Sequence, residues 1–143
     1  MAEKFKGFKT EILTHLKGSP HIFLATVEDG QPRVRPVTCV DFDERFWVFT
    51  GTDNAKVKQI RKNPKIEFCL LIEEGEHRGY IRAAGFAKII KDRETKAKVA
   101  KHCDFFGEFW KSPDDPDYTL LELNVNEIEY LRPNEFRVRK FKL

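Results

Sequence analysis

The apolar positions near the N-terminus repeat at helical spacing. They recur every three or four residues with polar residues between them, at Phe5, Phe8, Ile12, Leu13 and Leu16. This period predicts an amphipathic helix, which Gly18 and Pro20 end.

After Pro20 the pattern changes to that of strands. Residues 21–28 are apolar and β-branched, and Asp29-Gly30 is a strong turn signal before a second strand over 33–42. Residues 43–45 then turn the chain into a third strand over 46–50. The first half of the chain therefore predicts a three-stranded meander.

The second half of the chain continues this mixture, with strands more numerous than helices. It predicts a helix over 53–62, capped by Thr52 or Asp53, and a helix from 92 to about 103. The predicted strands cover 65–72, 79–91, 118–125 and 128–131, with a bend at Gly85 and a tail strand over 137–143. About seven strands with two or three peripheral helices indicate a mainly β (α+β) chain. The expected architecture is one domain over 1–143, a closed or nearly closed antiparallel barrel.

Composition narrows the class of protein. The chain is 41% hydrophobic and 34% charged, with a net charge of +3, which is too small a surplus to favour nucleic acid. Its three cysteines are an odd number, widely separated, and favour a reducing compartment. The lysine-rich N-terminus has no apolar signal core, and no apolar stretch is long enough to span a bilayer. We therefore expect a cytoplasmic protein without a membrane partner.

The segment from Phe49 to Lys58 carries the strongest chemical signal. A strand ends in hydroxyls and a glycine, and a helix then begins, an arrangement whose free N–H groups suit a phosphate. Short polar side chains and two lysines add donors and charge, at Thr50, Thr52, Asn54, Lys56 and Lys58. A capped surface helix with solvated lysines explains the same residues. The segment is not a Walker loop, because GxxxxGK[ST] is absent.

The strand over 33–42 places Arg33 and Arg35 on one face, where they can hold a phosphate or carboxylate, or instead face solvent. Pro36 cannot donate to a ladder, so this strand should lie at a sheet edge or carry a bulge.

Other chemical patterns are weak. The four histidines show no HxxxH or HxH spacing, so a zinc site is not expected, and no catalytic residue can be assigned. Trp110 follows Phe105, Phe106 and Phe109 in an aromatic cluster that serves either as a core or dimer plug or as a wall against a planar ring.

Taken together in order, these pieces resemble a known family over nearly the whole chain. The matching segments are Phe23-Leu24-Ala25-Thr26-Val27, Asp29-Gly30, Arg35-Pro36-Val37, Phe46-Trp47-Val48-Phe49-Thr50, Lys56 six residues after Thr50, Asn63-Pro64, Gly85, and Tyr118-Thr119-Leu120-Leu121 after Trp110. The chain is similar to the FMN-binding split β-barrels related to pyridoxamine 5′-phosphate oxidase, particularly the short members grouped with general stress proteins.

The resemblance implies an antiparallel split β-barrel that holds FMN in a homodimer. By resemblance, Arg35, Pro36, Val37 and Thr38 lie along the isoalloxazine edge, and Phe49 and Thr50 border the ring and ribityl chain. Lys56, with Thr52 and Asn54, holds the phosphate. Tyr80 lies near the flavin, contributed from the other subunit.

The sequence also departs from that family. A phosphate loop that often reads Ser-Arg-Lys is Asn54-Ala55-Lys56 here. Either the affinity for phosphate is weaker, or Arg33, Arg35 or Lys58 compensates. The C-terminal Arg-x-His substrate motif of the true oxidase is missing from residues 137–141. We therefore do not expect oxidation of pyridoxamine phosphate to be the main activity. The resemblance implies a flavin-dependent oxidoreductase that acts with an unidentified small-molecule redox partner. The open alternatives are a relative that binds deazaflavin F420 or haem, and a non-catalytic flavin-binding stress or regulatory protein.

Overall fold

A single curled antiparallel sheet carries every strand in the computed structural model, which describes residues 4–143. Residues 1–3, where the lysine-rich N-terminal segment begins, lie outside the described residues. The strands are β1 His21–Glu28, β2 Gln31–Thr38, β3 Val40–Phe42, β4 Arg45–Gly51, β5 Lys65–Glu74, β6 His77–Ile90, β7 Tyr118–Leu131 and β8 Val138–Lys142. The helices are α1 Lys9–His15, α2 Ala55–Lys62, α3 Arg93–His102 and α4 Phe106–Phe109, with a 3₁₀ turn at Phe5–Gly7 before α1.

The sheet is split where the chain passes from β2 to β3. The strand order is β2-β1-β5-β6-β7-β4-β3, with β8 paired to β7, so two strands that are consecutive in sequence lie at opposite edges. Cys39 joins them; it is fully buried, and its N–H donates to the Pro20 carbonyl at 2.9 Å. The split β-barrel is therefore confirmed, whereas the prediction of one strand over 33–42 was wrong because Cys39 leaves the ladder.

Two hydrophobic cores hold the barrel and its helices. The inner faces of the strands pack around Leu24, Phe68, Ile81 and Leu121 inside the barrel. A second core lies between the outer face of β4 and β7 and the helices α3 and α4, and the aromatic cluster belongs to it. Each fully buried large apolar side chain contributes about 1.5–3 kcal/mol to the stability of the fold. These two cores therefore hold the strands and helices that position the site.

The long pair β6 and β7 bends at a bulge between Ala84 and Gly85. A Cβ added at Gly85 would lie 1.8 Å from the Asn124 carbonyl oxygen, so only glycine allows this close approach. The predicted bend at Gly85 is confirmed. The two strands predicted over 118–125 and 128–131 are one continuous strand, because the ladder continues past the bulge.

The helices differ from the sequence prediction in two details. Asn54, rather than Thr52 or Asp53, caps α2, its side-chain oxygen accepting from the Lys56 N–H at 3.1 Å. The short helix α4 was not predicted; it brings the number of α-helices to four among residues 4–143. In this same part of the chain, no helix has the length and apolar character needed to cross a bilayer.

Candidate functional site

A group of polar side chains lies together beside the edge strand β2. It draws on β1, β2, β4 and α2, and we call it the split cluster: Thr26, Arg35, Thr50, Lys56 and Gln59. All except the half-buried Arg35 are more than nine-tenths buried. Because unpaired buried polar groups are costly, the partners of these side chains determine what the cluster can do.

Lys56 reaches into the cluster from the first turn of α2. The residues Lys56, Gln59 and Ile60 share the helix face that packs on the barrel, since they are three or four positions apart. The ammonium of Lys56 donates to the Thr50 hydroxyl at 2.7 Å. Burial, and then the neighbouring charge of Arg35, lowers the pKa of Lys56 to about 8. The structure therefore sets Lys56 against Thr50, and the contact predicted between Lys56 and a phosphate stays a prediction.

Arg35 enters the cluster from the edge strand β2. Its guanidinium donates to the Leu24 carbonyl and to the Gln59 side-chain oxygen, both at 3.0 Å. That same Gln59 oxygen accepts from the Thr26 hydroxyl at 2.5 Å. Burial lowers the pKa of Arg35 as well. Gln59 therefore fixes the guanidinium close to the Lys56 ammonium.

The cluster holds two cations and no balancing carboxylate. Across residues 4–143, no acidic side chain lies within 4.0 Å of a side-chain nitrogen of Arg35 or Lys56. Glu28 connects to the cluster only through the Gln59 amide nitrogen, at 3.5 Å, and it pairs with Arg33 at 3.0 Å. Two adjacent, partly desolvated cations repel each other, and a phosphate would relieve that repulsion. The residues present therefore fit the phosphate group of FMN.

The strand that carries Arg35 offers backbone groups beside the cluster. β2 pairs with β1 on one side and is an edge of the sheet on the other, which confirms the edge position predicted from Pro36. Val37 points inward against the barrel core, and Thr38 lies at the end of the strand, 3.4 Å from the His21 ring nitrogen. Residues 35–38 therefore belong to this edge strand, and their contact with an isoalloxazine ring stays a prediction.

Three side chains predicted to contact the phosphate make other contacts or are exposed in this structure. The Thr52 hydroxyl donates to the Pro116 carbonyl at 2.7 Å. The Asn54 oxygen is used in capping α2, and Lys58 is exposed on the far side of that helix. The structure therefore gathers Lys56, Thr50 and Arg35 but not these three side chains. The second cation of the split cluster is Arg35, and phosphate contacts of Thr52, Asn54 and Lys58 stay predictions.

The predicted aromatic contacts lie in the second core. The rings of Phe49 and Tyr118 stack with centroids 5.7 Å apart. Trp110 is buried, and its indole N–H donates to the Asp117 carbonyl at 3.1 Å. Phe49 and Trp110 both pack beside the strand that carries Thr50, and the core explanation accounts for Trp110.

Tyr80 lies on the outer face of the sheet, away from the split cluster. Its hydroxyl donates to the Glu129 carboxylate at 2.8 Å, and that bond raises the pKa of Tyr80. Large apolar side chains on the same outer face are half exposed, among them Phe23 and Leu71 at 50% each. A contribution of Tyr80 to a second subunit's site stays a prediction.

Sequence reasoning missed Thr26, Gln59 and His21. Gln59 had a usable signal, because it lies three residues after Lys56 and so shares its helix face. His21 became a neighbour of the site through the register of β1 against β2, which sets it opposite Thr38. Thr26 joined the cluster because α2 packs on β1 and brings Gln59 to its hydroxyl. Among the described residues no group of three or more histidine, cysteine or acidic side chains is placed to hold a metal ion.

Comparison with known proteins relates this geometry to a family. The family model described as pyridoxamine 5′-phosphate oxidase matches residues 8–132. General stress protein 26 of Bacillus subtilis (strain 168) is 29% identical over 127 residues, covering 87% of this chain and 86% of that protein.

Solved structures share the fold over most of their length. A nimc/nima family protein from Clostridium acetobutylicum superposes with a TM-score of 0.78 at 26% identity, covering 97% of this chain and 94% of that one. A pyridoxamine 5′-phosphate oxidase-related, FMN binding protein from Nostoc punctiforme PCC 73102 gives 0.74 at 19% identity, covering 96% and 88%. A heme binding protein from Mycobacterium smegmatis gives 0.73 at 15% identity, covering 90% and 55%. The last two likenesses are ones of fold alone.

Proposed function

This chain belongs to the pyridoxamine 5′-phosphate oxidase family, and from that premise we propose that it is an FMN-binding flavoprotein. The observation that carries the proposal is the split cluster, in which Lys56 and Arg35 lie together with no carboxylate partner among residues 4–143. A phosphate monoester supplies the charge that this pair lacks, because it carries nearly two negative charges at pH 7.

The chain's own residues bind and orient the cofactor. Lys56 and Arg35 hold the phosphate, while Thr50 and Gln59 hold the two cations in place. The free edge of β2 then lies where backbone groups can meet the flavin ring. When bound, FMN supplies hydride or electron transfer, so the protein needs no acid–base pair of its own. We propose an oxidoreductase role on this basis, with a small-molecule redox partner whose identity the site does not specify.

We propose that the working form is a homodimer. The outer face of β1, β2, β5 and β6 carries Phe23, Val34, Leu71 and Phe86, which are between 45% and 68% exposed. A monomer gains nothing from this apolar surface, and a second copy would cover it. Light scattering of Leu71→Lys should show monomers where the unaltered protein shows dimers. If Leu71→Lys has the same mass as the unaltered protein, this face is not the interface.

Reconstitution and spectroscopy test the cofactor directly. Protein incubated with FMN and freed of excess ligand should be yellow and show a flavin spectrum. Mass identification of the ligand that co-purifies from the native source separates FMN from F420 and haem. Colourless protein after incubation, or a native F420 or haem, would contradict the FMN proposal.

Reduction of the bound flavin tests the enzymatic part. Anaerobic addition of NADH or NADPH should bleach the flavin absorbance, and an acceptor should restore it. FMN binding without reduction by any donor would instead support a non-catalytic stress or regulatory protein. A cytoplasmic location stays a prediction from composition.

A further inference from the structure

Gln59 lies buried between a cation and an anion. The side chain is 7% exposed and belongs to the face of α2 that packs on the barrel. Its oxygen accepts from the Arg35 guanidinium at 3.0 Å, and its amide nitrogen faces the Glu28 carboxylate at 3.5 Å, the outer limit of a hydrogen bond. One uncharged side chain therefore stands between these two charges.

The partners of Gln59 determine which way its amide points. A guanidinium has donors alone and an ionised carboxylate has acceptors alone, so the oxygen faces Arg35 and the nitrogen faces Glu28. The Thr26 hydroxyl donates to the same oxygen at 2.5 Å. A glutamate at this position would accept from Arg35 equally well, but it would cancel the charge of Arg35 and repel Glu28.

Glu28 has a cation of its own. Arg33, two residues before Arg35 on β2, pairs with the Glu28 carboxylate at 3.0 Å. Glu28 and Arg33 are each about half exposed, so water screens both charges. Arg35, by contrast, is held by a neutral oxygen, and its charge acts on Lys56.

We propose that Gln59 determines the ligand specificity of the split cluster, because its neutral amide holds Arg35 without cancelling the charge that selects a phosphate monoester over an unphosphorylated ligand. The inference rests on the proposed function, since the phosphate is that of FMN. It goes beyond that function because it assigns the choice of ligand to a side chain that acts through Arg35. Gln59 is in this sense a positioning residue.

Replacement of Gln59 by glutamate separates charge from hydrogen bonding. Gln59→Glu keeps the length of the side chain and an oxygen for Arg35 and Thr26, but it adds a negative charge. Calorimetric titration at pH 7 with FMN and with riboflavin gives the ratio of the two affinities. That ratio should fall at least about tenfold in Gln59→Glu, with riboflavin affinity changed by less than about twofold. The matched control Gln31→Glu, the same change at an exposed glutamine, should equal the unaltered protein.

A neutral variant and a pH profile exclude a merely structural role. Gln59→Met removes the acceptor without adding charge, so it should lower the ratio less than Gln59→Glu does. Burial, and then Arg35, lowers the pKa of Lys56, and a carboxylate on Arg35 offsets the second cause. The change in FMN affinity between pH 7 and pH 9 should therefore become smaller in Gln59→Glu and persist in Gln59→Met.

A double variant covers the case in which Gln59→Glu does not fold. Glu28→Gln/Gln59→Glu removes the repulsion between two neighbouring carboxylates and leaves one negative charge beside Arg35. Its ratio of FMN to riboflavin affinity should fall as far as that expected for Gln59→Glu. A folded double variant with the ratio of the unaltered protein overturns the inference.

The outcomes separate this inference from the proposed function. Tight FMN binding with an unchanged ratio in Gln59→Glu overturns the inference and leaves the FMN proposal intact. Equal falls in Gln59→Met and Gln59→Glu also overturn it, because hydrogen bonding rather than charge would then set the preference. An unaltered protein that binds neither ligand contradicts both.

Discussion

The split cluster and a second polar cluster are built from similar groups but differ in charge balance. The second, which we call the tail cluster, joins α1 to the end of β7 and the tail: Glu11, Tyr130, Arg132, Glu135 and Arg139. Each cluster contains two cations and each anchors separate strands or helices. In the tail cluster two carboxylates match the two cations, whereas the split cluster has none.

In the tail cluster, carboxylates pair directly with the two cations. Arg132 donates to both oxygens of Glu11, at 2.8 Å each, and the Tyr130 hydroxyl donates to the same carboxylate. The pKa of Glu11 falls to about 2, first because of Arg132, and burial together with Glu11 raises the pKa of Tyr130 to about 12. Glu135 accepts from Arg132 at 3.1 Å and from Arg139 at 2.9 Å.

The comparison teaches that charge balance, not burial, distinguishes a structural network from a candidate site. A balanced network stabilises the fold, and its charges are already paired without a ligand. An unbalanced network lowers the free energy of unfolding until an anion binds, and binding of the anion then restores that stability. Substitutions that remove a charge from the two clusters should therefore have opposite effects on the free energy of unfolding of the ligand-free protein.

The largest expected effect is on cofactor binding. The double variant Arg35→Met/Lys56→Met should weaken FMN binding by about 3–6 kcal/mol, since each charge-assisted hydrogen bond contributes about 1.5–3 kcal/mol. Fluorescence titration measures the affinity, and circular dichroism confirms that the variant is folded. Lys91→Met, at an exposed lysine, serves as control. A folded double variant with unaltered affinity would show that the cation pair does not hold the cofactor.

The tail cluster should respond in stability rather than in binding. Glu11→Gln should lower the free energy of unfolding by about 1–2 kcal/mol, the lower part of the range for hydrogen bonds to charged groups, because Glu11 and Arg132 are each 37% exposed. Urea denaturation checks the stability and FMN titration the affinity. A loss of FMN affinity at unchanged stability would reverse the roles that we assign to the two clusters.

The pH dependence of FMN binding should follow Lys56. Its pKa is about 8 without ligand, and a bound phosphate favours the charged ammonium. FMN should bind about tenfold more weakly at pH 9 than at pH 7, since the free protein must then take up a proton to bind. Titrations at both pH values should show this change in the unaltered protein and little of it in Lys56→Met. Affinity independent of pH in the unaltered protein would argue against a contact between Lys56 and the phosphate.

The smallest expected effect is a gain in stability. Without ligand at pH 7, Lys56→Met should raise the free energy of unfolding by about 1 kcal/mol, because it removes a buried charge that lacks a carboxylate. The folded pKa of Lys56 lies below its ordinary value of 10.5, so the unfolded chain holds more protons between pH 8 and 10.5. The unaltered protein should therefore recover stability as pH rises through that window, and the gap to the variant should narrow. A gap that widens would contradict the assignment.

The fold was largely readable from the sequence, because its signals are local. The Asp29-Gly30 turn, the edge strand marked by Pro36 and the bend at Gly85 each follow from one or two residues. The break at Cys39 was not readable, since the alternation of side chains runs through it and only closure of the barrel interrupts the ladder.

The site could be predicted only in part from the sequence, because contacts between residues distant in the chain determine which side chains lie together. Lys56 and Thr50 belong to one continuous signal, and the structure joins them. Arg35 is held beside the cluster by its bond to Gln59, a contact between residues 24 positions apart, and its charge acts on Lys56.

The Thr52 hydroxyl donates to the Pro116 carbonyl, 64 positions along the chain, and this contact depends on tertiary structure that residue types do not show. The Asn54 oxygen makes a local bond instead, since it caps α2. Contacts of these two side chains with a phosphate stay predictions.

Comparing FMN with riboflavin tests the central claim most directly, because the two ligands share ring and ribityl chain and differ by the phosphate alone. Calorimetry should show that FMN binds at least about 100-fold more tightly than riboflavin, as expected for two charge-assisted contacts. That difference should largely vanish in Arg35→Met/Lys56→Met. Equal affinities for the two ligands in the unaltered protein would contradict the account, because the paired cations would then have no part in recognition.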